Sequence, residues 1–278
     1  MHCIPLCLLL LASAATAAEP AARRDVPYAG TTDAKQTLDI DAPPTGKDHP
    51  IVFWIHGGGW MQGDKRDVQN KPKAFVDKGF VFVSTNYRLF PNTTIKAMAG
   101  DVANAVRWTH DHAREFGGDP NRIFVMGHSA GAQLAALICT DETLLKAEGL
   151  PLSIIKGCVP VDGDTYDLAM QIATVEKKRA DRYTWKFGDE QSRKELSPIE
   201  HVAKGKDIPP FLLLCVGGHP ETEPQARRLA KALQEAGVPA KTLSAQNSEH
   251  DKLNNGLGLP GDKPTQALFE FVDGVLNK

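Results

Sequence analysis

The chain has 278 residues, 42% of them hydrophobic and 24% charged, an ordinary globular composition with ample material for one large core. Its 32 Lys and Arg nearly balance 34 Asp and Glu, leaving a formal net charge of −2, which excludes an electrostatic grip on nucleic acid or on an anionic membrane. The expected partner is a small molecule, and the length suits one catalytic domain.

The first segment, MHCIPLCLLLLASAATAAEP, carries an apolar stretch from about Ile4 to Ala14 and then the small-residue run Ala15–Ala18. Residues 1–18 therefore read as a secretory signal peptide, with 19–278 as the mature domain and a secreted or periplasmic destination. The stretch is shorter than the roughly 20 apolar residues a membrane span needs, so no stable anchor is expected. Cleavage would leave Cys139, Cys158 and Cys215, each inside an apolar run. Three free, buried thiols are expected, with a Cys158–Cys215 bridge between adjacent strands as the alternative.

Beyond that segment, β-rich runs alternate with helical ones. The strand candidates are TLDIDAP, IVFWIHGGG, FVFVSTNYRL, IFVMGHSAG, IIKGCVPVDG, PFLLLCVGG and AKTLSAQN. The helix candidates cover Val68–Lys78, Ile95–Phe116, Ala130–Thr140, Pro224–Ala236 and Pro264–Leu276. Such alternation predicts an α/β fold, a mostly parallel central sheet with helices on both faces. The near-continuous apolarity of Ile51–Ile55, Phe80–Val83 and Phe211–Val216 fits strands buried on both sides. In such sheets ligands bind at the carboxyl ends of the strands. The region from about 165 to 206 breaks the rhythm, being charged, aromatic-bearing and without a strand pattern, and is read as a small lid insertion over those ends. Within it, Glu176–Arg182 reads as an exposed charged face.

Two glycine motifs fall at strand ends. Gly127-His128-Ser129-Ala130-Gly131 joins a β-branched run to an alanine-rich helix, a turn tight enough to exclude side chains at both glycines and to expose the Ser129 hydroxyl. His56-Gly57-Gly58-Gly59-Trp60 ends an earlier strand, where glycines leave backbone N–H groups open to a ligand; neither phosphate-loop pattern is present. No H-E-x-x-H pair or zinc-type cysteine spacing occurs, so no metal and no organic cofactor is expected.

The pair HGGGW and GHSAG resembles the α/β-hydrolase superfamily, specifically carboxylesterases with an HGGG oxyanion loop. The likeness extends through NYRLFP (Asn86–Pro91), GGDPNRIFVMGHSAG (Gly117–Gly131) and SPIEHV (Ser197–Val202). HGGGWMQGDK is most similar to the acetyl-xylan and feruloyl esterase-like branch, with a kynurenine-formamidase-like branch as neighbour. The resemblance implies that Ser129 is the nucleophile, that the amides of Gly58, Gly59 and Ala130 form the oxyanion hole, and that His56 and His128 brace the loops.

With the chain order serine, acid, histidine, the candidate bases are His201, His219 and His250, and His250, after the last strand and before the final helix, is the choice. Relatives carry the acid in a loop of the form H-G-x-x-D after the strand matching FLLLCVGG. Here Glu221 stands in the Asp position and is the expected acid, with Glu223, Asp162 and Asp164 as alternatives. Trp60 and the lid would shape the substrate pocket. The implied activity is hydrolysis of short-acyl, carbohydrate or aryl esters, small or oligosaccharide-borne; the rival readings are an arylformamidase-like amide hydrolase and a non-catalytic hydrolase-fold binding module.

Overall fold

The computed structural model describes residues 21–277; the expected signal peptide lies outside the described residues. The sheet contains β1 (Ala21–Pro27), β2 (Thr37–Ala42), β3 (His49–Ile55), β4 (Val81–Thr85), β5 (Gly118–His128), β6 (Ile155–Val161), β7 (Phe211–Val216) and β8 (Ala240–Ala245). They lie in the order β1-β2-β4-β3-β5-β6-β7-β8. The β1–β2 and β2–β4 pairings are antiparallel and the others parallel.

Ten α-helices connect and flank these strands among the described residues: α1 (Lys71–Val76), α2 (Ile95–His112), α3 (Ala130–Thr140), α4 (Glu142–Ala147), α5 (Leu168–Thr174), α6 (Lys177–Phe187), α7 (Glu190–Glu195), α8 (Thr222–Glu235), α9 (His250–Gly256) and α10 (Lys263–Leu276). The period-2 pleat explains the unbroken apolar runs of the central strands, since alternate residues enter two separate cores. Ile51, Phe53 and Ile55 of β3 face one core, packed with Val102 and Val106 of α2, Leu134 and Ile138 of α3, and Leu229 of α8. Val52 and Trp54 face the other, with Phe75 of α1, Leu253 of α9, and Leu268 and Val272 of α10.

Helix α3 departs from the usual one-sided pattern. All eleven of its residues are buried, which its small side chains permit between the sheet and the neighbouring helices. The edge strand β1, AARRDVP, is almost wholly exposed and has no apolar alternation to announce it. The stretch read as an insertion has no strand and holds α5, α6 and α7.

Cys139, Cys158 and Cys215 are free and buried. Strand register rules out the alternative bridge. Cys158 lies level with Phe211 on β7, so Cys215 is four residues further along, roughly 13 Å at strand rise, well beyond disulfide reach.

Candidate active site

The carboxyl ends of β3, β5, β6, β7 and β8 open on one edge of the sheet, and the chemistry-bearing residues follow those ends. Ser129 sits between β5 and α3 with φ 55° and ψ −117°, a conformation that L side chains rarely adopt. The two glycines around it are required by close approach. A Cβ at Gly127 would lie 2.2 Å from the Gly131 carbonyl oxygen, and one at Gly131 would lie 2.2 Å from that of Ile55. The Ser129 amide donates to Val161 of β6 at 2.9 Å, which pins the turn to the neighbouring strand.

The glycine loop after β3 runs past this turn. A Cβ on Gly57 would meet that of Ser129 at 3.2 Å. Gly58, at φ 109°, could not carry a side chain without striking the Gln62 carbonyl oxygen at 2.1 Å, and that loop closes through Met61 and Gln62 amides donating to the Gly58 oxygen. The amides of Gly58, Gly59 and Ala130 find no acceptor among the described residues. Such unspent donors beside an exposed hydroxyl are what an oxyanion site requires.

His56 is buried and stacked on Tyr87 with ring centroids 4.4 Å apart. Its Nδ1 donates to the Gly57 carbonyl at 2.7 Å while the Tyr87 hydroxyl donates to the His56 carbonyl at 2.9 Å, so the loop is clamped from both sides. Burial lowers the His56 pKa to about 4, which keeps the ring neutral at physiological pH.

His250 opens α9 immediately after the β8 loop. Its Nδ1 donates to Asp162 Oδ2 at 2.6 Å. Asp162 directly follows β6, its side chain is fully buried, and its other oxygen accepts the Val216 amide at 2.9 Å. Burial opposes the charge on both partners but is outweighed: the bonds from His250 and Val216 lower the Asp162 pKa, and the Asp162 carboxylate raises that of His250. With Nδ1 donating, Nε2 is the basic nitrogen, and His250 lines the same cavity as Ser129. The His128 ring lies 4.4 Å from that of His250 and its Nε2 donates to the His250 carbonyl at 3.2 Å. Burial, then the His250 charge, lowers the His128 pKa to about 3, so it acts as a neutral strut. His128, His250 and Asp251 each bring one donor atom within 4.8 Å of the others, but a metal there would compete with the His128 bond to the backbone.

The acid expected from the sequence is corrected here. Glu221 does not reach His250. Its backbone forms the N-cap of α8, and its Oε2 is taken by Gln171 of α5 at 2.7 Å and Arg179 of α6 at 2.8 Å. Glu223 accepts the Gly218 amide and the Ser244 hydroxyl, both at 2.6 Å, and Asp164 accepts from Tyr183 and Arg179. Of the four carboxylates considered, Asp162 is the one on the imidazole. His219 also lines the cavity, with Nδ1 accepting the amides of Glu221 and Thr222 at 3.2 Å each, while His201 bonds to the Glu195 carbonyl instead.

The cavity is small, about 290 Å³, and is lined by Gly59, Trp60 and Ser129 on one side and by α6 on the other. Trp60 is held in its wall by Nε1 donating to Gln133 at 3.2 Å and by edge contact with Phe187. The α6 residues reaching the cavity are Arg179, Arg182, Tyr183 and Lys186, spaced i, i+3, i+4 and i+7. Arg179 and Arg182 therefore do more than present the solvated charged face expected of that segment. Their helical spacing was the available clue.

A serine on a strained strand-to-helix turn, a histidine–aspartate pair and a glycine loop on this eight-stranded sheet define an α/β-hydrolase fold with a serine-hydrolase arrangement at its usual edge. The family model described as BD-FAE matches residues 38–219, and the chain belongs to that family. Esterase LipQ of Mycobacterium tuberculosis is 28% identical over 277 residues, covering 91% of this chain and 62% of its own length. The isoprenylcysteine alpha-carbonyl methylesterase ICME of Arabidopsis thaliana is 26% identical over 269 residues, covering 92% of this chain and 62% of its own length. The chain thus spans a little under two thirds of these curated relatives. Among solved structures, esterase B from Lactobacillus rhamnosis superposes with a TM-score of 0.77 at 22% identity, covering 93% of this chain and 87% of that one.

Proposed function

We propose that the protein is a serine carboxylesterase in which Ser129 attacks the acyl carbon. His250 Nε2 takes the serine proton, and Asp162 holds the imidazole and stabilises its charge. The oxyanion of the tetrahedral intermediate is received by the amides of Gly58, Gly59 and Ala130. The protonated His250 then gives its proton to the departing alcohol, leaving an acyl-enzyme at Ser129. Water activated by His250 hydrolyses that ester and restores the hydroxyl. The observation that carries this reading is the 2.6 Å His250–Asp162 contact beside the strained Ser129 turn.

The small cavity favours short acyl groups or compact aryl and sugar esters. The family membership and the esterase names of the relatives support ester over amide bonds. Export to the periplasm or medium is proposed from residues 1–18, and N-terminal sequencing of the mature protein tests it. A fluorophosphonate probe should label Ser129 in the wild-type protein and leave Ser129→Ala unlabelled. A panel of acetylated sugars, feruloyl esters and formyl-anilides should show turnover of esters. Turnover confined to the formyl-anilides would transfer the assignment to an amidase, and a folded protein that neither labels nor turns over any of them would be a binding module.

A further inference from the structure

The cavity wall formed by α6 has more positive charge than the neighbouring protein answers. Arg179 is balanced by Asp164 at 3.1 Å and Glu221 at 2.8 Å. Arg182 has no hydrogen-bond or ion-pair partner among the described residues, although it borders the same cavity as Ser129. Lys186 is half-buried, donates to the Gly59 carbonyl at 3.0 Å and lies 5.3 Å from the centre of the Trp60 ring, with no carboxylate in contact. Burial, followed by repulsion from Arg182, lowers the Lys186 pKa. Two cations one helical turn apart thus border the cavity, Arg182 exposed and Lys186 half-buried, and around the half-buried one charge attraction is stronger than in bulk water.

We propose that Arg182 and Lys186 form an anion subsite, and that the preferred esters carry a carboxylate on the acyl or the alcohol side. This rests on the esterase reading above. One part of the substrate places its carbonyl at Ser129 while the carboxylate accepts charge-assisted hydrogen bonds from the guanidinium and the ammonium. Such a contact acts on substrate binding, and so mainly on KM.

Two matched substrate pairs test this and tell the sides apart. The alcohol-side pair is 4-carboxyphenyl acetate against 4-carbamoylphenyl acetate. The acyl-side pair is the 4-nitrophenyl monoester of glutaric acid against its terminal primary amide. In one pair, the anionic-to-neutral ratio of kcat/KM should fall about fivefold in Arg182→Gln and in Lys186→Gln, and further in the double variant. Raising NaCl to about 0.5 M should lower the same ratio in the wild type by screening. Because each ratio is internal to one protein preparation, partial misfolding cancels, and exposed Arg182 carries the test if Lys186→Gln disturbs the Gly59 loop. Unchanged ratios in both pairs, with neutral esters still cleaved through Ser129, would overturn the subsite and leave the esterase standing. Equal losses for both members of a pair would also overturn it, since the cations would then serve the loop or the oxyanion. A folded wild-type protein that cleaves none of the four esters yet is labelled at Ser129 by the fluorophosphonate probe would overturn the subsite alone, and one that neither cleaves nor is labelled would overturn both readings.

Discussion

His250 and Asp162 are 88 residues apart in the chain and 2.6 Å apart in space, joined where the ends of β6 and β8 flank the end of β7. The aspartate is fixed by the Val216 amide on its free oxygen, so the carboxylate orients the imidazole from a rigid position. This contact occupies Nδ1 of His250 and leaves Nε2 unprotonated in the neutral ring.

Asp162→Asn should lower kcat by roughly 10³- to 10⁴-fold, because an amide stabilises the wrong tautomer and leaves the imidazolium unpaired. The sign of the pH effect follows from the pair. Asp162 raises the His250 pKa above its ordinary 6.5, so the acidic limb of kcat/KM, which follows the free enzyme, should move to lower pH when that charge is removed. Glu221→Gln should change kcat by less than about tenfold, since its carboxylate is engaged by Arg179 and Gln171. pH–rate profiles of the two variants check this, and a larger loss in Glu221→Gln would return the acid to the β7 loop.

Ser129→Ala should abolish turnover with the fold retained, and Ser129→Gly should do the same while raising stability. At φ 55° and ψ −117° a side chain costs of order 1–3 kcal/mol, which glycine avoids. The expected difference between Gly and Ala at this position is at least about 1 kcal/mol, or roughly 2–4 °C in Tm for a chain of this size. Calorimetry of the two inactive variants measures it without interference from activity. Equal Tm values would mean that the turn relaxes freely.

The glycine loop offers a contrast between neighbours. A methyl at Gly58 meets the Gln62 carbonyl oxygen at 2.1 Å, whereas one at Gly59 meets only the Lys186 Nζ at 3.7 Å, an ordinary contact. Gly58→Ala should displace the loop and cost about 100- to 1000-fold in kcat, the usual effect of losing one oxyanion donor. Gly59→Ala, at φ 60°, should cost about 1 kcal/mol of backbone strain and much less activity. Steady-state kinetics separate the two, and an effect of Gly58→Ala confined to KM would make the loop a substrate contact only.

Lys71 supplies a stability prediction away from the chemistry. Its ammonium is fully buried, donates to the Asn254 carbonyl at 2.9 Å and to Gln69 at 3.0 Å, and sits 4.5 Å from the centre of the Trp54 ring, with no carboxylate in contact among the described residues. Burial lowers its pKa from 10.5 to about 7. Below about pH 7 the lysine is charged in both folded and unfolded chains and the burial penalty is complete. Between 7 and 10.5 the folded chain has released the proton while the unfolded chain keeps it, so this contribution to stability rises with pH. Lys71→Met should therefore raise Tm at pH 6 to 7, and the gain should shrink toward pH 10. Denaturation across that range checks the slope; a gain that grew with pH would contradict the assigned charge state.

Short stretches of sequence determined much of what this protein is. Gly127, Ser129 and Gly131 fix a turn by local sterics, and the continuous apolar runs around Ile51–Ile55 and Phe211–Val216 required strands covered on both faces. Their alternation with helical stretches was enough for the parallel α/β sheet. Strand β1 escaped because an exposed charged edge strand is defined by its pairing to β2, which leaves no mark on its own residues.

Which carboxylate meets His250 was decided by tertiary structure. Asp162 and Glu221 both lie beyond the ends of apolar strands, and the resemblance alone favoured Glu221. What separates them is that α8 begins at Glu221 and directs it to Gln171 and Arg179, while the parallel register of β6 and β7 sets Asp162 under the Val216 amide and toward His250. The placement of α6 was settled the same way: its stripe of Ala180, Tyr183 and Phe187 marks the face that docks, but only the core against which Tyr183 and Phe187 pack brings Arg182 and Lys186 to the cavity that Ser129 lines.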